Sequence, residues 1–393
     1  MSDHVLTLNA GSSSLKFAIF ASNTPSAQAE MTGKFASIGR QPVFSVSSAD
    51  GRSLDKGALA TLDNTFDHEK LLALLLPWLA QHHGRHRIVA VGHRVVHGGE
   101  RFEGPTRVTE AVLDELERLV PLAPLHQPHN LAAIRAVAEW RPDLLQIACF
   151  DTSFHRTQER LAQLFAIPHA LSDEGVIRYG FHGLSYAYIA GVLPEYLGPL
   201  ADRRVIVAHL GNGSSLCAMK ERKSRATSMG FTALDGLVMG RRCGTLDPGV
   251  ILYLMRAKKM DASAIEDMLY RKSGLLGVSG ISNNMHVLQD SKAPRAREAI
   301  ELYCYRAASL IAGLVPSIGG LDALVFTAGI GENSALVRQL ICDRLDWLGV
   351  SIDGKANSEN AVQIGSEQSR VKVLVLPTNE EAIIAKACRD YSE

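Results

Sequence analysis

Six cysteines are spread through 393 residues, at positions 149, 217, 243, 304, 342 and 388, and no two of them form a CxxC pair. That spacing argues against zinc-ribbon and disulfide use and favours reduced, mostly buried thiols. Net charge is also lacking, because 41 Lys and Arg balance 41 Asp and Glu. No overall field draws the chain to nucleic acid or an anionic membrane, so neither is expected as a partner, and any anion it binds must be held locally. No basic leader precedes the first apolar residues, and the longest apolar cluster, Leu71 to Ala80, is interrupted by Pro77 and too short to span a bilayer. A cytoplasmic protein is the expectation. There is no GxxxxGK[ST], which excludes the standard P-loop, no complete GxGxxG, no low-complexity stretch and no evident linker.

What is present is ordinary globular material, 46% hydrophobic and 21% charged, long enough for two domains. Apolar alternation predicts strands at 5–8, 15–20, 43–46, 88–96, 144–150, 205–210, 324–327 and 371–376. Helical periods fall at 69–82, 110–120, 130–140, 185–196, 263–272, 297–315, 335–347 and 380–391. Strands and helices mix throughout, so the fold class is α/β. A faint internal echo adds to this. At an offset of 201 residues, LNAGSSSLKFAI lines up with LGNGSSLCAM, setting Ser13, Ser14 and Leu15 against Ser214, Ser215 and Leu216. Two halves on one plan is the simplest account.

Both echoing segments are Gly/Ser-rich turns between strands, and a third, TAGIGENS at Thr327 to Ser334, opens a helix. Such turns leave backbone N–H groups bare for phosphate, although each taken alone is equally a plain turn. GHRVVHGGE places Arg94 at a strand end between His93 and His97, where a cation needs an anion or a structural partner such as Glu100. VMGRRCGTLDPG puts Arg241 and Arg242 in a Gly-bounded loop, as an anion grip or a solvated pair. CFDTSFH sets Asp151 just after a strand, a position suited to a catalytic or magnesium-binding carboxylate or to a turn cap. YGFHGLS carries His182 between glycines, and PTNEEA places Asn379, Glu380 and Glu381 at a helix start, where acids also complement the helix dipole.

These motifs, together with APLHQPHN, FDTSFH, GFTALDGLVMG and HLGNGSSL, occur in the order seen in acetate kinases, and the chain resembles that family over essentially its whole length. The resemblance implies two ribonuclease-H-like (actin-like ATPase) domains from an internal duplication with a cleft between them. The first would be 1–150, joined by the C-terminal helix 384–393, and the second 151–383. It further implies a homodimer, ATP/ADP as co-substrate and Mg2+, with Mn2+ as a substitute. The reaction implied is reversible transfer of a phosphoryl group to acetate or another short acyl carboxylate.

By the same resemblance Arg94, Asp151, His182 and Arg242 are catalytic. Arg94, Val96, Leu125, His126, Phe181 and Ala233 bind the acyl substrate. Asn9 and Glu380 hold the metal. Ser12, Ser14, Lys16, His209, Gly211, Asn212 and Gly213 approach the phosphates, while Asn284, Met285, His286, Gly329, Gly331, Glu332 and Asn333 line the nucleoside side. Three positions depart from the family pattern: Asn284-Met285-His286 stands in place of Asp-x-Arg, Arg241 in place of threonine, and Ala233 in place of a frequent proline. Two rival readings are a hydroxyl kinase, with Asp151 as proton acceptor, and a non-catalytic nucleotide-driven module.

Overall fold

The computed structural model describes every residue except 1, 12, 13, 25–27, 61, 83–85 and 393. Ser12 and Ser13, part of the expected first phosphate turn, lie outside the described residues. The chain divides into two compact units, Met1–Phe154 with Asn379–Glu393, and His155–Thr378. Among the described residues no helix is long and apolar enough to cross a membrane.

The first unit is built on a seven-stranded sheet. Its strands are β1 (Ser2–Gly11), β2 (Ser14–Ala21), β3 (Met31–Ala36), β4 (Val43–Ser48), β5 (His86–Val95), β6 (Thr106–Arg107) and β7 (Leu145–Phe150), in the order β4-β3-β2-β1-β5-β7-β6. β1 to β4 form an antiparallel meander, whereas β1, β5 and β7 run parallel. Alternation in β2 explains its placement: Leu15, Phe17 and Ile19 enter the core, while Lys16 between them is exposed.

Helices α1 (His68–His82) and α3 (Gln127–Trp140) cover one face of this sheet, with α2 (Glu110–Arg118) packed beside α3. The C-terminal helix, Glu380–Asp390, packs on β1, β5 and β7. Successive residues of β5 show that it takes the opposite face. Val91 joins the core formed with Ala133 and Val137 of α3, and a Cβ on Gly92 would meet Ile384 Cγ2 at 2.2 Å. Glycine at 92 is what lets the C-terminal helix sit this close. Asn379 caps that helix by accepting from the Ala382 N–H at 3.0 Å, so Glu380 opens it and belongs to the first unit.

The second unit repeats the plan. Its strands β8 (Val205–Leu210), β9 (Ser214–Lys220), β10 (Lys223–Thr227), β11 (Ala323–Thr327) and β12 (Lys372–Val375) are ordered β10-β9-β8-β11-β12. This is the order and direction of β3-β2-β1-β5-β7. The 201-residue echo holds on one strand of each hairpin only. Leu216 stands 201 residues after Leu15, but Ala208, which faces it, stands 198 after Ala10. The second hairpin therefore carries three more residues at its tip, and those residues include Gly211, Asn212 and Gly213.

The helices that matter for the second unit are α4 (Gly183–Leu197), α5 (Met285–Asp290), α6 (Pro294–Leu314), α7 (Ala328–Asn333) and α8 (Ala335–Cys342). Ala208 and Leu210 face a core shared with Tyr303 and Ala307 of α6. His209 alternates to the other face, toward α4. The expected helix over 335–347 stops at Cys342 and resumes only as a short turn at Asp346–Leu348. The chain bends there so that both Leu345 and Val350 reach the core, with Gly349 at φ +87°.

Candidate active site

In the first unit Arg94 leaves the end of β5 and forks onto Asp151, just past β7. Its Nε donates to Oδ1 at 2.9 Å and its Nη2 to Oδ2 at 2.6 Å, while Nη1 donates to Asn9 Oδ1 at 3.1 Å. Asp151 is only 2% exposed and Arg94 20%. A bidentate guanidinium–carboxylate pair at this depth fixes the arginine's plane and gives each aspartate oxygen a charged donor. Burial opposes the Arg94 charge, but Asp151 and then Glu380 outweigh it and hold the guanidinium firmly protonated. Parallel pairing of β1, β5 and β7 puts Asn9, Arg94 and Asp151 at neighbouring strand ends.

Glu380 is part-buried, and its pKa is pushed up to about 7, first by desolvation and then by Asp151 and Glu381, with Arg94 and Lys16 pulling the other way. It makes no ion pair within 4 Å among the described residues. Lys16 and Ser14 lie at the start of β2, with Lys16 lining an open groove of about 800 Å³ together with Asn379 and Glu381. Val96 is buried and donates its N–H to Asn130 Oδ1 at 3.0 Å. Leu125 and His126 are half-buried, and His126 is the residue at which α3 begins.

In the second unit Arg242 and His182 converge on the β8–β9 hairpin tip. A side chain at Gly213 would strike Arg242 Nη2 at 2.8 Å and His182 Nε2 at 3.1 Å. Arg242 also donates through Nη1 to the Ala233 carbonyl at 2.5 Å, whereas Arg241 points to solvent. His182 takes the left-handed conformation at φ +59° and stacks on His209, ring centroids 4.3 Å apart. His209 Nδ1 is hydrogen-bonded to Ser185 Oγ at 2.8 Å, and Phe181 is buried beside His182. The Gly211 N–H is tied within the tip, to the Gly213 carbonyl and Ser214 Oγ.

A cavity of about 370 Å³ lies in the same unit, lined by Gly211, Asn212, Asn284, His286, Gly329 and Asn333 among others. Asn284 caps α5 through the His286 N–H, and His286 pairs with Asp290 at 3.0 Å. Met285 edges the cavity yet belongs to the core. Two residues expected on the nucleoside side do not line this cavity. Gly331 is buried, and Glu332 turns its carboxylate inward to accept from the Ala328 N–H at 2.7 Å and the Thr378 N–H at 3.1 Å. Both shape the loop from beneath.

Sequence reasoning missed the residues that hold these groups. Asn130 accepts from the Val96 N–H and donates to the Ala10 carbonyl at 2.7 Å, tying the ends of β5 and β1 together. Arg338, fully buried, donates to the carbonyls of Gly331, Glu332 and Asn357 and so braces the TAGIGENS loop. Ser215 and Tyr186 form a chain to His182, with Ser215 Oγ 2.8 Å from His182 Nδ1 and 2.5 Å from the Tyr186 hydroxyl. Tyr186 lies one helical turn past His182, and that spacing was the available signal.

A duplicated five-strand order, with an arginine fork at the strand ends of the first unit, an arginine and a histidine at the hairpin tip of the second, and no P-loop, is the plan of the two-domain ATP-dependent kinases of ribonuclease-H-like type. Comparison with known proteins narrows this. Residues 4–386 match the model of the acetokinase family. An acetate kinase from Rhodopseudomonas palustris (strain TIE-1) is 51% identical over 391 residues, covering 98% of each chain. A propionate kinase from Francisella tularensis subsp. tularensis SCHU S4 is similar in structure, with a TM-score of 0.92 and 36% identity over 99% of this chain and 100% of that one. The acetate kinase of Porphyromonas gingivalis gives 0.88 and 34%, over 100% of both. The chain belongs to the acetokinase family and is a phosphotransferase with a carboxyl group as acceptor.

Proposed function

We propose that the chain transfers the γ-phosphoryl group of ATP to acetate, reversibly, by direct in-line attack of the carboxylate. A carboxylic acid with pKa near ~4.3 is already ionised at neutral pH, so the nucleophile needs no general base. What must be supplied is charge neutralisation between two anions. The observation that carries the reading is the Arg94–Asp151 fork with Asn9, a rigidly held cation at the strand ends of the first unit. Arg94 binds the acyl carboxylate, with Val96, Leu125 and His126 beside it. From the second unit, Arg242 and His182 stabilise the transferring phosphoryl group, Gly211 to Gly213 receive the phosphates, and the 370 Å³ cavity takes the nucleoside. Phe181 and Ala233 are the second unit's acyl-binding residues.

The same fork weighs against a hydroxyl kinase. Both Asp151 oxygens accept from Arg94, so this carboxylate orients a cation rather than taking a proton.

A divalent metal fits the first unit. Magnesium prefers a few protein oxygens and fills its shell with water and substrate phosphates. Glu380 offers a carboxylate without an ion pair, and Asn9 Oδ1 keeps one lone pair beyond the one that accepts from Arg94 Nη1; no group of three acidic, histidine or cysteine side chains that could hold a metal exists among the described residues. When bound, Mg2+ would neutralise the β- and γ-phosphate oxygens.

A hydroxamate assay with ATP and acetate, propionate or butyrate tests the proposal. Acetate and propionate should both give acyl phosphate, because Ala233 adds room, and butyrate should fall by roughly 10- to 200-fold. Failure with every acid, alongside transfer to an alcohol, would sink the reading.

The enzyme is proposed to be a cytoplasmic homodimer. Its six cysteines are all free thiols, as a reducing compartment keeps them. Helix Pro248–Arg256 buries none of its residues and leaves Val250, Leu252, Tyr253 and Met255 exposed beside Leu246. An apolar face of this kind is suited to its own copy. Sedimentation should report about twice the 42.6 kDa chain mass, and Tyr253→Glu should return it toward the monomer. A wild-type monomer at micromolar concentration would refute the dimer.

A further inference from the structure

His182 occupies a conformation that a non-glycine residue seldom takes, so something must hold it there. Two sets of contacts do. The first acts on the backbone. His155 Nε2 lies 2.9 Å from the Phe181 carbonyl, and a carbonyl can only accept, so Nε2 carries the proton. His155 Nδ1 then accepts from Ser224 Oγ at 2.9 Å, and that hydroxyl in turn accepts from Gln158 Nε2 at 2.9 Å. Burial pushes His155 down to about 4, consistent with a neutral ring. Gly180, at φ +75°, lies so close that a Cβ there would meet the His155 ring at 2.6 Å. The Gly180–Phe181–His182 turn is thus clamped against a buried imidazole.

The second set acts on the ring. Ser215 Oγ sits between His182 Nδ1 and the hydroxyl of Tyr186, which is fully buried. Tyr186 is on α4, one turn from His182, and Ser215 is on β9, so the imidazole is held by two elements that are themselves packed in the core. With Nδ1 held, the other ring nitrogen, Nε2, points at Gly213 beside Arg242. An imidazole anchored by one nitrogen presents the other in a fixed direction.

We infer that Tyr186 and Ser215 are positioning residues of the transfer reaction, fixing the His182 ring so that Nε2 meets the phosphoryl group at the Gly213 tip. The inference rests on the reading of His182 given above. Neither residue touches the substrates; both act through His182.

A double-mutant cycle with ATP and acetate tests this. Tyr186→Phe should lower kcat on the order of 10- to 100-fold with both KM values within about twofold. In a His182→Ala background the same change should cost nothing further in kcat, while its effect on melting temperature stays the same in both backgrounds. Ser215→Ala should behave alike. If Tyr186→Phe and Ser215→Ala leave kcat unchanged, or lower it by the same factor with and without His182, the inference falls. The His182→Ala single variant keeps the two failures apart: near-normal turnover there overturns the reading of His182 itself, and the positioning role with it.

Discussion

Arg242→Ala is expected to lower kcat for acetyl phosphate formation by roughly 10³-fold or more, while the melting temperature hardly moves. The size of the loss follows from the role proposed for the guanidinium. Two anions must approach, and a fixed cation at the transferring group is worth about 10³ to 10⁵ in rate. The small effect on stability follows from the setting. Arg242 is half-buried in a glycine-bounded loop outside the packed core, with its Nη1 on the Ala233 carbonyl, and truncating a side chain there costs less than breaking a fully buried ion pair. Arg241, one residue away and exposed, should tolerate alanine with turnover within about twofold.

Arg94→Ala should behave differently. It loses the cation proposed to bind the acyl group and also leaves Asp151 buried and unpaired, at a cost of about 3–5 kcal/mol, so both rate and stability fall. Steady-state kinetics and thermal melts on the three variants decide the matter. Turnover within tenfold of wild type for Arg242→Ala would remove this arginine from the reaction.

The contrast between the arginines also shows what a sequence can and cannot reveal. That Arg94 sits at a strand end was legible from GHRVVHGGE, because Ile88 to Val91 before it and Val95 and Val96 after it mark the strand, and two glycines end it. Which anion it meets was not legible from its neighbours, and only the resemblance offered Asp151, as the holder of an arginine or of the metal. Glu100 was a reasonable partner by proximity, but parallel pairing of β5 with β7 brings Asp151 from 57 residues away instead. Similarly, β3 and β10 went unnoticed because their sequences, MTGKFA and KSRAT, carry exposed lysines and a partly buried glycine and arginine that break the apolar alternation. Both lie outside the parallel core of their sheets, where one face can remain polar.

The hairpin echo was legible on the strand that keeps Ser and Leu in step, and not on its partner, where three extra residues lengthen the second tip. Supporting residues such as Asn130, Arg338 and His155 give no local signal at all. Each acts on backbone groups of a distant segment, and only the fold defines those distances.

Acidification should destabilise the enzyme well before its ordinary carboxylates titrate. His93, His97 and His155 are buried, and desolvation pushes each down to about 4 from an ordinary value of 6.5. The geometry agrees: the Nδ1 of His93 is buried without a hydrogen-bond partner, while its Nε2 is spent on Gln146 Oε1 at 2.8 Å. The native state therefore refuses protons that the unfolded chain accepts. Because the folded values lie below the unfolded one, the stability these residues confer is complete above pH 6.5 and is lost as pH falls toward 4.

At pH 5 the loss is about 2 kcal/mol for each histidine, or roughly 6 kcal/mol for the three, a large share of a typical folding free energy. Glu380 works in the opposite sense. Its raised value means that the folded protein binds a proton more readily than the unfolded chain, so protonation between pH 7 and 4.5 favours the fold and offsets part of the loss. Since two of the histidines lie in the first unit and His155 in the second, both units should weaken. Urea unfolding at pH 7, 6 and 5 measures this directly, and the midpoint should fall at each step. His93→Gln should flatten the dependence by about the share of one histidine. Equal midpoints at pH 7 and 5 would mean that the imidazoles find room for a proton in the native state, contrary to their burial.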